Sequence, residues 1–229
     1  MRRTLNVIRL QLINRSTFLW TPAIVLGAAV AMSILVYVLI PSGEPKYGIA
    51  AGQAPLWVFL SIGISAMTLT FPFSQAISIT RREFFLGTMA AAVLGSALMG
   101  GLFLIGGALE KATGGYGLNG WTFYLPWLWE AGPVGAFAVY FTLALFFFVM
   151  GFTGATVYKR WGAVTLTTAG VGLALVVIGL VFLATRLELW GQVGVGVAQL
   201  GAFGLALCGL AATVALMGVS FLMFRRTLP

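Results

Sequence analysis

The sequence predicts an all-α integral membrane protein with six transmembrane helices, an amphipathic interfacial helix before them, and both termini cytoplasmic. Hydrophobic residues make up 60% of the 229 positions and charged residues only 8%, a balance typical of membrane chains. The apolar runs are also continuous, as at 173–183, whereas the strands of a membrane β-barrel alternate apolar and polar residues. Helices are therefore the expected spanning elements.

Six apolar runs are long enough to cross a hydrocarbon core, which needs about 20 residues per helix. They lie at 18–40, 54–79, 86–109, 134–158, 163–185 and 195–224. The preceding segment, 1–17, places Leu5, Ile8 and Leu12 on one helical face and Arg2 and Arg9 on another. This pattern favours a helix lying on the inner leaflet. A disordered basic tail is the alternative.

The basic residues fix the expected orientation, because Lys and Arg are retained on the cytoplasmic side of a membrane. With both termini inside, ten of the thirteen basic residues and one of the five acidic residues lie on the inner side. We therefore expect a multi-pass plasma membrane protein, as in a bacterial inner membrane. The basic residues are scattered over short membrane-edge segments, which favours contact with anionic membrane lipids and no nucleic-acid partner.

The residue types that the chain lacks limit the reactions and binding sites that can be expected of it. The chain has no His, no Asp and one cysteine, Cys208, and we expect its five glutamates in loops. It therefore lacks a clustered metal site and an intramembrane proton relay, and no catalytic residue is predicted. No GxxxxGK[ST] phosphate-binding motif occurs, so ATP and Mg would have to be bound by another chain. A membrane enzyme remains an alternative, with Glu130 beside Trp129 as its candidate group.

Two predicted spans carry polar or small residues on one helical face, as a translocation pathway would require. The face of the second span consists of Ser61, Ser65, Thr68, Pro72 and Gln75, and that of the fifth includes Thr165, Thr168, Gly172 and Gly179. Close packing between helices is the alternative for both faces. Pro72 also predicts a kink near the inner end of the second span. A row of small residues in the last span, Gly194, Ala198, Ala202 and Ala206, predicts a helix-packing face.

The outer segment 110–132 is dense in aromatic residues. Trp121, Phe123, Trp127 and Trp129 lie there around glycines and Pro126. Aromatic side chains concentrate where membrane meets water, so anchoring in the outer interface is one explanation. A lid or gate over an exit path is the other.

A short charged and aromatic segment separates the second span from the third. Arg81, Arg82 and Glu83 are followed by Phe84 and Phe85, and the surrounding sequence, residues 78–88, reads SITRREFFLGT. Together with six spans, inner termini and an initial amphipathic helix, this segment resembles the ABC type 2 exporter permeases. The alternative is that the arginines only determine topology and the phenylalanines only mark the interface.

The resemblance implies a transmembrane subunit of an ATP-binding-cassette exporter. It implies that Arg81, Arg82 and Glu83 dock on an ATPase subunit as part of a coupling helix, and that Phe84 and Phe85 anchor this docking or the start of the third span. It also implies a second permease subunit, identical or related, with the second and fifth spans near the shared axis. The outer aromatic loop departs from the pattern, because relatives place their re-entrant outer element between the fifth and sixth spans. A substrate-binding membrane subunit of an importer, or a sensory module, is the rival function.

Overall fold

The structure, a computed structural model, describes residues 20–40 and 44–225. The predicted interfacial helix at 1–17 and the start of the first predicted span lie outside the described residues. Two of the five long helices are continuous: α1 at Thr21–Leu39 and α3 at Arg81–Ala112. The helix α2 consists of Ile49–Ser65, a π-helical turn at Ala66–Thr70 and Phe71–Ala76. The other two are α4 at Gly132–Arg186 and α5 at Trp190–Phe224.

All five helices are long and apolar enough to cross a membrane. This confirms the prediction of an all-α membrane protein. Helix α4 contains 55 residues, and at 1.5 Å per residue it is far longer than one crossing of a hydrocarbon core of about 30 Å. Its length therefore calls for an interruption.

Glycines provide that interruption in α4 and a similar one in α5. Gly162 has φ +84° and ψ 178°, and Gly201 has φ +60° and ψ 178°. These backbone conformations are accessible essentially only to glycine. They divide α4 into α4a (132–161) and α4b (163–186), and α5 into α5a (190–200) and α5b (202–224).

Helix α4a is the centre of the bundle, because α2, α3 and α5 all pack against α4 and every buried residue of α4 lies between Gly135 and Thr156. Glycines let two of the backbones approach closely. A Cβ atom on Gly63 would collide with the carbonyl oxygen of Phe148, and one on Gly151 would collide with that of Leu60. Small residues at such crossings are typical of membrane helix packing.

Helix α4b differs from the rest of the bundle. Its residues are exposed, apart from Thr165 and Ala184, which are half-buried. Gly170, Gly172 and Gly179 have no neighbouring atom within 4 Å of an added Cβ. The described chain thus leaves an apolar helix of membrane-crossing length with its surface uncovered.

Candidate functional site

The segment that joins α2 to α3 is a tight turn at 77–80 followed directly by the start of α3. Thr80 caps this helix: its Oγ1 accepts from the backbone N–H of Glu83, and the Glu83 carboxylate accepts from the backbone N–H of Thr80. This reciprocal pair is a capping box, which fixes where the helix begins. The helix therefore begins at Arg81 and not at Leu86, so the predicted docking residues form its first turns.

Phe84 and Phe85 are buried in an aromatic cluster at this end of the bundle. The ring of Phe84 lies 5.3 Å from that of Phe71 in α2, and the ring of Phe85 lies 5.8 Å from that of Phe152 in α4a. Phe224 of α5b lies 4.8 Å from Phe71. Aromatic pairs at these separations and tilts attract beyond simple burial. The first turn of α3 is thus packed against α2, α4a and α5b together.

The arginines of this region gather at the end of α5b. Arg81 Nη1 donates to the carbonyl oxygen of Arg225 at 2.9 Å, and Arg160 Nη1 donates to that of Met223 at 3.3 Å. Cationic side chains at a helix C-terminus hydrogen-bond to its free carbonyl groups and interact favourably with the helix dipole. Arg82 lies beside them and is exposed. We call Arg81, Arg82, Arg160 and Arg225 the inner basic surface.

The predicted polar face of α2 is only partly covered by the described helices. Ser61 is exposed and Ser65, Thr68, Pro72 and Gln75 are half-buried. The hydroxyls of Ser65 and Thr68 donate to carbonyls one turn earlier in their own helix, Ser61 and Ile64. The face is therefore partly accessible, and its role as a pathway lining stays a prediction.

The inner half of α2 has an irregular backbone. The N–H of Phe71 bonds to the carbonyl of Ala66 in a π-helical turn, and Pro72 follows, which has no N–H to donate. Gln75 Nε2 then donates to the carbonyl of Ile79 at 3.0 Å. One end of the polar face is thus tied to the turn that leads into α3. Interruptions of this kind allow a helix to bend.

The other predicted pathway residues, Thr168 and Gly172, lie on α4b and are exposed. Thr168 Oγ1 donates to the carbonyl of Val164 in its own helix. The described chain does not bring these residues beside the polar face of α2. If the two faces line one pathway, another subunit has to bring them together.

The outer aromatic loop folds onto the opposite end of the bundle. Two short strands, β1 at Lys46–Tyr47 and β2 at Gly120–Trp121, pair in parallel. Tyr37 Oη lies 2.9 Å from Thr122 Oγ1, which ties α1 to the loop. Phe123 is 3% exposed and stacks beside Phe103 of α3. The loop is therefore a packed cap and not a loose segment.

Glu110 is the centre of this cap. It lies in the last turns of α3 and is fully buried, which corrects our expectation that all five glutamates lie in loops. Its Oε2 accepts from the backbone N–H groups of Phe123 and Tyr124, each at 2.8 Å, and from that of Thr122 at 3.0 Å. These three backbone donors converge on one carboxylate oxygen and hold residues 122–124 of the loop against the end of α3.

Tyr116 supplies a further hydrogen bond to this carboxylate. Its Oη donates to Glu110 Oε1 at 3.0 Å. Burial raises the pKa of Tyr116, and the negative charge of Glu110 raises that pKa further. The phenol therefore stays protonated and remains a donor. The signal that Glu110 belongs to the helix was present in the sequence, because Gly114 and Gly115 mark a helix end after it.

The four aromatic residues predicted for a gate have different surroundings. Phe123 is in the core, whereas Trp127 is 45% exposed. Trp121 Nε1 donates to Asn119 Oδ1, and Trp129 Nε1 donates to the carbonyl of Phe123. Three of them therefore hold the cap together or fill it, and Trp127 alone projects. Their role as a gate stays a prediction.

The chain was compared with known proteins once this geometry was established. No family model, no curated protein and no solved structure matched it.

Proposed function

We propose that this chain is the transmembrane permease subunit of an ATP-binding-cassette exporter. In this proposal it is not itself an enzyme, separate ATPase subunits hold ATP and Mg, and they dock at Arg81, Arg82 and Glu83. Two permease subunits form the pathway. The observation that carries the proposal is the packing at the start of α3, where the exposed Arg82 lies only two residues before Phe84, the first of two phenylalanines in the core.

This packing suits the transmission of force. A push on Arg82 would act on the capped first turn of α3. Because Phe84 and Phe85 touch the rings of Phe71, Phe152 and Phe224, the same push would reach α2, α4a and α5b. Packed interfaces convert small displacements into switches between discrete arrangements. The π turn and Pro72 are positioned where α2 would bend.

The placement of the helix ends supports six spans with both termini inside. Arg81, Arg160 and Arg225 meet at one end of the bundle, and we assign this end to the cytoplasm by the positive-inside rule. Ala202 at the start of α5b lines the same cavity as Thr122 of the outer cap. The chain between Arg160 and Ala202 must therefore return across the bundle. The 24 residues of α4b, at 1.5 Å each, are long enough for that crossing.

The uncovered surface of α4b supports a second subunit. Its polar face, Thr168 and Gly172, is exposed in the single chain, and the polar face of α2 is only partly covered. A second permease subunit would bring two copies of each face to one axis. Gly162 and Gly201 bracket the segment that would contact the partner. That segment includes α5a, which begins between the predicted fifth and sixth spans and extends into the first residues of the predicted sixth span. Relatives of the resembled family have their re-entrant outer element between those two spans.

The experiment is gentle detergent extraction of the tagged chain from its native membrane, followed by mass spectrometry of the proteins that co-purify. The proposal predicts an ATP-binding subunit and a permease subunit in stoichiometric amounts. A chain that purifies without a nucleotide-binding partner would contradict the exporter and support the rival function, a membrane subunit that binds substrate for an importer or a sensor.

A further inference from the structure

A cavity of about 510 Å³ lies beneath the outer cap, between α2, α4a and α5b. Its roof is formed by Thr122, Phe123 and Leu125 of the cap, and Leu56 and Phe103 form part of its wall. Ligand pockets in proteins have volumes of roughly 300 to 1,000 Å³. The cavity is therefore large enough for a ligand, and it is separate from the inner basic surface.

The walls of this cavity are mostly apolar, and Gln53 and Thr142 are the polar side chains of the lining away from the roof. The polar groups near the roof bond elsewhere: Tyr140 donates its hydroxyl to the carbonyl of Phe123, and the hydroxyl of Thr122 pairs with that of Tyr37. No charged residue is among those that line the cavity. An ionic or strongly polar ligand would leave most of its hydrogen bonds unmade here, which disfavours such a ligand.

Small residues of α5b create the space. Ala202, Ala206 and Gly209 line the cavity, and the first two belong to the row that the sequence predicted as a helix-packing face. The other two residues of the row, Gly194 and Ala198, lie in α5a and do not line the cavity. The wall is buried at Leu56 and Phe103, which are 5% and 3% exposed. At the rim, Trp127, Leu143 and Ala212 are exposed, so the cavity opens toward the surroundings of the bundle.

The roof is held in place by Glu110. Its carboxylate binds the backbone N–H groups of Thr122 and Phe123, which are residues of the roof itself. The aromatic ring of Phe123 is further fixed against Phe103. A roof fixed by backbone contacts keeps the cavity open instead of letting it collapse when empty.

We propose that this cavity binds a single hydrocarbon chain, either an acyl chain of a membrane phospholipid or the tail of a free long-chain fatty acid. The apolar lining supplies the attraction, since burial of apolar surface is favourable in proportion to its area. Trp127 is exposed at the rim, and tryptophan is enriched at the level of lipid headgroups. The site does not depend on the exporter assignment, and it exists within one chain.

The test uses photo-crosslinking in the intact protein. The full chain is reconstituted into nanodiscs, either with a phospholipid that carries a diazirine at the end of one acyl chain or with a diazirine-bearing fatty acid. Crosslinked residues are then identified by mass spectrometry. Labelling of the buried residues Leu56 and Phe103 reports occupancy, because bulk lipid reaches only exposed side chains.

Two matched variants decide the result. Ala212→Phe extends a ring into the rim of the cavity, whereas Ala211→Phe places the same ring on an exposed neighbour that does not line it. We expect Ala212→Phe to lower the labelling of Leu56 and Phe103 by about tenfold and Ala211→Phe to leave it unchanged.

The pattern of labelling identifies the source of the chain. Labelling by the phospholipid probe assigns the site to a bilayer lipid, and labelling by the fatty acid probe alone assigns it to a free acid. Absence of label at Leu56 and Phe103 with both probes would overturn the proposal. Equal labelling in the two variants would also overturn it.

Discussion

Arg81 and Arg225 are joined by a hydrogen bond of 2.9 Å from the guanidinium of Arg81 to the carbonyl oxygen of Arg225. Arg81 is half-buried, and its neighbour Arg82 is exposed. Two adjacent arginines that are alike in the sequence therefore differ in surroundings. Arg81 donates to a carbonyl at the end of α5b, whereas Arg82 is the more accessible of the two.

The two arginines should respond differently to mutation. Arg82→Glu reverses charge at the proposed contact and should reduce the ATPase subunit retained per permease by about tenfold, with thermal stability within about 0.5 kcal/mol of wild type. Arg81→Ala should cost about 1 kcal/mol of stability, because it removes a hydrogen bond, and should lower the retained ATPase less than Arg82→Glu does, because Arg81 is the less accessible of the two. Affinity purification and thermal unfolding in detergent measure both. If the Arg82→Glu protein retains its full complement of ATPase subunit, Arg82 is not the contact.

The Glu110 carboxylate should be essential to the outer cap. Glu110→Gln keeps the size of the side chain but replaces one acceptor oxygen with a donor, which would face backbone N–H groups. We expect a loss of about 1 to 3 kcal/mol of stability, measured by thermal unfolding. Glu130→Gln, at an exposed glutamate of the same loop, is the control and should change stability by less than about 0.5 kcal/mol. Equal effects in the two variants would contradict the role of Glu110.

The contact between α2 and α4a should depend on Gly151. Gly151→Ala drives a methyl group into the backbone of Leu60, and overpacking of this kind costs about 1 to 3 kcal/mol. Gly154→Ala is the matched control in the same helix, because an added Cβ there meets no atom within 4 Å. It should be neutral or stabilise by about 0.5 to 1 kcal/mol, since alanine is the better helix former. Thermal unfolding of both variants checks the pair, and a Gly151→Ala protein as stable as wild type would show that the helices are not in close contact.

The hydrogen bond between Tyr116 and Glu110 should make stability sensitive to high pH. The pKa of Tyr116 is raised by burial and by the Glu110 charge, so the folded protein holds the phenol proton more tightly than the unfolded chain does. The resulting stability is present below about pH 10, the usual tyrosine pKa, and is lost as pH rises toward the folded pKa. The difference in thermal midpoint between wild type and Tyr116→Phe should therefore shrink above that pH. A difference that grows with pH would contradict the assignment.

Much of the fold could be predicted from the sequence, because apolar runs of membrane-crossing length have few structural solutions. The ends of the bundle were also predictable from charge: Arg81, Arg160 and Arg225 were assigned to one side, and the structure brings them together. Helix ends were harder. Ending the apolar run before its first charge puts Glu110 in a loop, whereas in the structure Glu110 is helical and accepts from backbone N–H groups that follow it by 12 to 14 positions.

The candidate sites could be predicted only in part, because they depend on contacts between segments that are distant in the sequence. The segment from Arg81 to Phe85 was recognisable as a charged and aromatic interruption, but its division between the exposed Arg82 and the buried phenylalanines depends on partners in α2, α4a and α5b. The cavity beneath the outer cap also depends on distant elements. Its small residues were visible as a row in the last span, but whether such a row packs a helix or leaves a space is decided by what lies opposite.

The most direct test of the central claim is site-specific crosslinking from residue 82 in native membranes. The chain has a single cysteine, Cys208, so Cys208→Ala gives a background in which Arg82→Cys can carry a benzophenone. Leu187→Cys, an exposed position beyond α4b, is the control on the opposite side. The account predicts a covalent adduct between position 82 and an ATP-binding protein, and none from position 187. Absence of that adduct at position 82, or the same adduct from both positions, would contradict it.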